Sequence, residues 1–360
     1  MNTTILLAQE LSTLNWSAAR LVMIAHFIIG VIKLRTVNLV RLAGVFETQV
    51  EVESNYKRLQ RFFRHFELDF EAIAQLIQRW LPCRGGILCL DRTNWQIGTT
   101  NVNILVLAVA YRGIAIPLIW TCLDKKGNSN TKERITLLER FIKLFGKERI
   151  AYLTADREFR GHDWLRYLVS EQIPFRIRIP NNTRVSNRHR NQTIPVTRLF
   201  PLRVGEVMVL QSARWVWGIR VFLGAVRTEE EHAIIITEAY TTNVVADYAR
   251  RWEIETLFGC LKSRGFDLEQ TRLRDPQRLS KLLALLAIAF GWCYRVGEWQ
   301  AVHKPIRRLK HGRPIYCLFR YGLDHLSRIL FNANSMFHQF NEILKLLGNS
   351  NPNIDLIFYT

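Results

Sequence analysis

The sequence predicts an α/β protein: a mixed sheet carrying a β-rich insertion, preceded and followed by helical segments. Three observations predict it. Residues 1–84 repeat apolar side chains at helical spacing. From Gly86 short apolar runs take over, in an order of three strands, a helix, a strand, a helix and a strand. A second set of short β runs, from Val196 to Thr237, separates those elements from a further helix.

Composition bounds the function. With 360 residues the chain is long enough for a catalytic domain and one or two smaller units. The net charge of +19 points to a polyanionic partner, with nucleic acid the default. Ribosomal and anionic-membrane binding share that signal, but 48% apolar residues favour a folded enzyme over a basic tail. The six cysteines are scattered, form no CxxC pair and read as reduced thiols of a cytosolic protein. Met1–Glu10 lacks the basic start and cleavage pattern of a secretory signal. The apolar runs Leu21–Ile32 and Leu282–Trp292 fall short of the roughly 17–25 residues that span a bilayer. No membrane span is therefore expected.

In chain order, Ser17 is placed to cap a helix running to about Leu34, and Arg35–Phe46 suggests another short one. Ser54 is expected to cap a helix over Asn55–Phe66, with Leu59, Phe62, Phe63 and Phe66 inward and Lys57, Arg58, Arg61, Arg64 and His65 on the other faces. That basic side reads either as a solvated face or as a surface for a phosphate backbone, with Arg58 and Arg61 as candidate contacts. Pro82 and Gly85-Gly86 mark a boundary.

Ile87–Leu90 is a buried run ending at Asp91, and Val102–Tyr111 and Ile114–Thr121 form a hairpin turned at Arg112-Gly113. Thr131–Phe145 is an amphipathic helix, Ile150–Thr154 a strand leading to Asp156, Asp163–Ser170 a helix and Phe175–Ile179 a strand. This is the order of a ribonuclease-H-like sheet. In that topology the first and fourth strands are parallel neighbours, so Asp91 and Asp156 come side by side at the edge where α/β sheets bind ligands. Glu158 is the alternative acidic ligand.

Residues 176–190 carry five arginines and no acid, and read as a polar loop whose Arg176, Arg178 and Arg188 could touch DNA phosphates. Val207–Leu210, Trp215–Leu223 and Ala233–Thr237 are the strands of the insertion. Trp215 and Trp217 alternate on one strand face there, as core residues or as a platform for an unpaired base. Asp247–Lys262 reads as one helix, on which Tyr248, Arg251, Glu255 and Lys262 fall within about 60° of one another. Beyond it lie a buried helix at Leu279–Trp292 and a basic loop at His303–Arg320, with Lys310 a candidate phosphate contact. Leu323, Leu326, Ile329 and Leu330 then share one face of C-terminal helices.

Three carboxylates, Asp91, Asp156 and Glu255, are the equipment for Mg²⁺, which takes oxygen ligands and keeps water. Two such ions about 4 Å apart can activate an attacking oxygen and stabilise a leaving one in phosphoryl transfer. No His/Cys cluster has zinc spacing, and neither a glycine-rich phosphate loop nor a nucleophile-elbow serine is present.

The chain resembles DDE-type transposases of bacterial insertion sequences, of the insertion sequence 4 family. The resemblance lies in a Tyr-x2-Arg-x3-Glu-x6-Lys signature met by Tyr248, Arg251, Glu255 and Lys262. Supporting it are Leu90-Asp91-Arg92-Thr93-Asn94-Trp95, Gly127-Asn128-Ser129-Asn130-Thr131 and Thr154-Ala155-Asp156-Arg157-Glu158-Phe159. It implies catalysis by Asp91, Asp156 and Glu255 with two Mg²⁺ ions per site, Mn²⁺ substituting, and double-stranded DNA as substrate at terminal inverted repeats and target. It further implies a homodimer in the synaptic complex, a grip on DNA by Tyr248, Arg251 and Lys262, and a cytoplasmic, nucleoid-associated bacterial protein. On this reading residues 1–84 bind the DNA ends and residues 85–190 begin the catalytic core. Residues 191–240 are the insertion, 241–300 the catalytic helix and end of the core, and 301–360 the basic loop and last helices. A nuclease that cuts without joining, and a non-catalytic DNA-binding relative, are the alternatives.

Overall fold

The computed structural model describes residues 2–81, 86–186, 192–310 and 312–348. The chain forms two compact units, one of Met1–Pro82, Asn94–Val102 and Leu257–Thr360, the other of Cys83–Thr93 and Asn103–Thr256. The first and last segments of the chain belong to one unit, which is mostly helical, and residues 191–240 to the other.

The helical unit begins with α1 (Thr3–Glu10), α2 (Ala18–Leu34), α3 (Leu39–Ala43), α4 (Val52–His65) and α5 (Phe70–Arg79). Ser17 occupies the cap position of α2 but makes no side-chain cap hydrogen bond. The helix expected over Arg35–Phe46 shortens to α3, because Arg35 turns left-handed at φ 53° and ends α2, and Asn38 restarts the helix by accepting from the Val40 and Arg41 amides. α4 starts before Ser54 rather than after it. The buried Asn55 carboxamide donates to Thr48 Oγ1 and the Val50 carbonyl, fastening the chain one turn earlier. Leu59, Phe62, Phe63 and Phe66 are buried as their spacing requires.

The second unit is built on β1 (Gly86–Ile97), β2 (Thr100–Tyr111), β3 (Ile114–Cys122), β4 (Ile150–Ala155) and β5 (Phe175–Ile179), with α6 (Thr131–Phe145) and α7 (His162–Ser170) between them. The order β3-β2-β1-β4-β5, with β4 parallel to both β1 and β5 and β2 antiparallel to β3, is that of a ribonuclease-H-like sheet. Arg112 and Gly113, both at positive φ, make the tight β2–β3 turn. Asn130 and Glu133 form a reciprocal capping box that fixes the start of α6.

The insertion does not stand apart. β6 (Arg184–Ser186), β7 (Thr193–Pro195), β8 (Val207–Val209), β9 (Arg214–Val216), β10 (Ile219–Arg227) and β11 (His232–Thr237) continue the same sheet, since β11 pairs antiparallel with β5 and β10 with β11. The single run expected over Trp215–Leu223 is a hairpin, because Trp217 and Gly218 both take positive φ and reverse the chain between β9 and β10. Trp215 therefore lies on a strand and Trp217 in a turn, and they do not share one strand face. Both are half-buried.

The predicted single helix over Asp247–Lys262 is two: α8 (Val244–Ala249) and α9 (Trp252–Leu261). Between them the amides of Arg250, Arg251, Glu253 and Ile254 each bond three residues back instead of four, which tightens the chain and re-aims the second helix. α8 sits close on the sheet at Gly224, where a Cβ would come within 2.2 Å of the Val244 side chain.

The helical unit resumes with α10 (Pro276–His303), α11 (Leu318–Phe331) and α12 (Phe337–Gly348). α10 has 28 residues, twice the buried run expected, and is long and apolar enough to cross a bilayer, yet 94% of its apolar window is buried in the protein. It crosses α11 backbone to backbone. A Cβ on Gly322 would lie 1.8 Å from the Cys293 carbonyl, and one on Gly297 would lie 2.0 Å from that of Leu318. Residues 349–360, expected to be helical, and the boundary residues 82–85 lie outside the described residues.

This crossing yields a test. Gly322→Ala should destabilise the protein by about 3 kcal/mol, because backbone cannot yield as a flexible side chain can. Gly44→Ala, where the nearest atom is 3.4 Å away, should stay within about 0.5 kcal/mol. Urea unfolding of the two variants decides.

Candidate active site

The parallel register of β1 and β4 ends on Leu90 paired with Ala155. The residue after each of these is an aspartate, so Asp91 and Asp156 stand beside each other where the shared ladder stops. β1 itself runs on to Ile97, so Asp91 lies within a strand rather than at its end. The polar run Asp91–Gln96 concealed this continuation. Burial pushes the Asp91 carboxyl up to about 7; the Arg92 amide and Arg251 pull against that, and the charges of Asp156 and Glu158 add to it. One Asp156 oxygen accepts the Glu158 amide at 2.6 Å.

Arg251, at the break between α8 and α9, joins the remaining groups. The residue is 7% exposed, and its guanidinium donates to the Tyr248 hydroxyl at 3.1 Å, Asp91 Oδ2 at 3.2 Å and Glu255 Oε1 at 2.5 Å. Burial opposes its charge, but the Tyr248 oxygen and the two carboxylates hold its pKa above the ordinary guanidinium range. Tyr248, packed with Ile235 and Val244, has its phenol pushed up chiefly by burial. Tyr248, Arg251 and Glu255 thus meet as expected, though through a hub in a helix break rather than along one helical stripe. Lys262 follows α9 in the helical unit, where its ammonium pairs with Glu269 at 2.8 Å and lies over the Trp95 ring.

A second cluster was not visible as such in the sequence. Arg92 donates to both Glu158 oxygens at 3.1 Å, to Asn103 Oδ1 at 3.0 Å and to Asn128 Oδ1 at 3.1 Å. Asn103 in turn donates to the Lys125 and Gly127 carbonyls. Arg134 clasps the Ser129, Glu158 and Arg160 carbonyls. Glu158, the alternative ligand, is therefore committed to a bidentate arginine pair. The signal available was the adjacency of Arg92 to Asp91. Asn128, Asp156, Glu158 and Asn182 border a cavity of about 410 Å³.

Other candidate contacts are placed differently. Arg176 and Arg178 belong to β5, not to a loop. Arg176 pairs with Asp247 at 3.1 Å and Arg178 with Glu231 at 2.5 Å, so acids distant in sequence already hold both. Arg58 donates to Asn55 while Arg61 is exposed on α4. Lys310 is exposed in the α10–α11 loop, and Arg188 lies outside the described residues.

Among the described residues no three His, Cys, Asp or Glu side chains converge to hold an ion. The donor set nevertheless suits a hard divalent cation: adjacent Asp91 and Asp156 supply oxygens, and Glu255 is tethered to Asp91 through Arg251, a monovalent cation lying between them.

A mixed sheet of this order, with acids where its parallel ladder ends, places the chain among ribonuclease-H-like α/β proteins. More narrowly, the chain belongs to the transposase DDE domain family, whose model matches residues 82–292. That span contains Asp91, Asp156, Tyr248, Arg251, Glu255 and Lys262. No curated protein matches the sequence. Among solved structures the chain is similar to the piggyBac transposase in a cryo-EM synaptic complex with hairpin DNA, at 13% identity and a TM-score of 0.45, over 98% of this chain and 85% of that one.

The two arginine clusters predict different mutational costs. Glu158→Ala leaves Arg92 without its carboxylate and should cost about 2 kcal/mol of stability, given the partial exposure of the pair. Glu255→Ala leaves Arg251 still held by Asp91 and Tyr248, and should cost about 1 kcal/mol or less. Equal losses in chemical unfolding would refute this division of roles.

Proposed function

We propose that the chain is a metal-dependent DNA transposase of the insertion sequence 4 type, cutting at terminal inverted repeats and joining the ends to target DNA. The observation that carries this reading is the register that sets Asp91 beside Asp156, with Glu255 tied to Asp91 by Arg251. Asp91, Asp156 and Glu255 would hold two Mg²⁺ ions. Such ions supply Lewis acidity to a phosphoryl oxygen and a nucleophilic oxygen at neutral pH.

The protein's own residues prepare the site. Burial and the neighbouring acids make Asp91 retain a proton near neutrality, and a cation is what would relieve that repulsion. With those carboxylates on cations, Arg251 would have its guanidinium free for a phosphate oxygen, and Tyr248 would be a second donor. The Arg92–Glu158 pair holds the chain after Asp156 against β1, keeping the two aspartates in register. Cut-and-paste excision by a homodimer bridging two DNA ends completes the reading.

Two outcomes are expected. Asp91→Asn, Asp156→Asn and Glu255→Gln should each lower Mg²⁺-dependent nicking of inverted-repeat DNA by roughly a thousandfold or more. Precut ends with a target plasmid should give joined product. Cutting without joining would mark a nuclease, and DNA binding without either would mark a non-catalytic relative. In the second test, protons compete with metal at Asp91. A raised carboxyl pKa means the charged form is scarce below it, so Mn²⁺ affinity of the DNA-free protein should climb up to tenfold per pH unit below about 7 and level off above. Calorimetry across that range checks it, and Asp91→Asn should flatten the profile.

A further inference from the structure

The helical unit contains a cavity of about 450 Å³ whose lining includes none of Asp91, Asp156, Glu158 and Glu255. One wall is a single face of α4, where Tyr56, Gln60, Phe63 and Arg64 follow helical spacing. The segment entering α10 contributes Arg272, Leu273 and Arg278, and the start of α3 contributes Asn38 and Val40. No carboxylate lines it. Arg64 and Arg272 are exposed and have no ion-pair partner among the described residues, while Arg278 has only a long contact with Asp275 at 3.9 Å. Three guanidiniums facing one cavity without acids repel one another, and an anion is what would offset that repulsion.

The rest of the lining narrows the anion. Phe63, 1% exposed, gives an apolar floor, and half-buried Tyr56 offers a ring beside it. The Asn38 oxygen is spent capping α3, which leaves its amide nitrogen to donate. Phosphate-binding charge, aromatic surface and an amide donor together suit a nucleotide. The volume lies in the range of single small-ligand pockets, so an unstacked nucleotide can enter and a duplex cannot.

Building on the reading that DNA is the partner, we propose that this cavity is a binding site for unpaired DNA, taking one nucleotide with its phosphate on Arg64, Arg272 and Arg278 and its base against Tyr56. The test compares a blunt duplex with the same duplex bearing a short oligothymidylate extension, by fluorescence anisotropy on the full chain. The native protein should prefer the extended probe by roughly tenfold. The double variant Arg64→Ala/Arg272→Ala should lose that preference and reduce the salt slope for the extended probe by about 1.4, at about 0.7 per contact with a single strand. Its affinity for the blunt duplex should fall by less than its affinity for the extended probe, because only the extension enters the cavity. Val40→Trp, at a position 57% exposed, fills the mouth without removing charge and should also abolish the preference; circular dichroism checks that both variants fold. Equal affinity of the native protein for both probes, or parallel losses on both, would overturn the cavity assignment while leaving the DNA reading intact. Binding of neither probe would take down that reading and this inference together.

Discussion

Two carboxylates forced side by side under partial burial are the constraint on which the sheet unit depends. The β1–β4 ladder leaves Asp91 and Asp156 no freedom to separate, because each comes directly after a paired residue. Like charges at that spacing, short of water, must be neutralised, protonated or both. The protein uses both means: burial and repulsion lift the Asp91 pKa to about 7, and Arg251 is driven against it. The break between α8 and α9 is best understood from this requirement. A continuous helix would carry residue 251 on the same cylinder as its neighbours; the tightened turn aims it at Tyr248, Asp91 and Glu255 at once.

A second arginine sets Glu158 apart from Asp156. Glu158 lies two residues from Asp156 and has the same chemistry, yet Arg92 takes both its oxygens and anchors itself through Asn103 and Asn128. Against Asp91, Asp156, Glu158 and Glu255 stand the direct ion pairs of Arg92 and Arg251, so acid remains in excess. The two acids differ here by partner rather than by residue type.

Much of this was legible in the sequence where one physical signal dominated. α6 and β5 are found at their expected bounds because an uninterrupted apolar pattern and a capping box or flanking turn agree. The adjacency of Asp91 and Asp156 came from strand order alone. The features that stayed hidden depended on contacts between distant residues. Arg176 and Arg178 read as loop charges because Asp247 and Glu231, which hold them, come far later in the chain. The hairpin at Trp217-Gly218 was missed because a tryptophan at positive φ gives no turn signal of the Asn-Gly kind. The helix break at Arg250-Arg251 contains neither Pro nor Gly, so periodicity ran straight through it.

α10 shows why apolar length is a weak guide without its polar exceptions. By composition it could cross a bilayer, and its apolar stretch carries few charges. Those it does carry are placed for a protein interior. The buried Lys281 ammonium donates to the Phe63 carbonyl, Arg295 reaches the Trp80 carbonyl, and Glu298 accepts from Tyr294 one turn back. Each charge is met by a group from α4, from the end of α5 or from α10 itself, and Gly297 is spent on close approach to α11. The partners of these charges lie inside the protein. The same residues that interrupt its hydrophobicity thus explain its burial: they fix where α4, α5 and α11 pack, and with α4 the arginine-walled cavity that its own first turn helps to close.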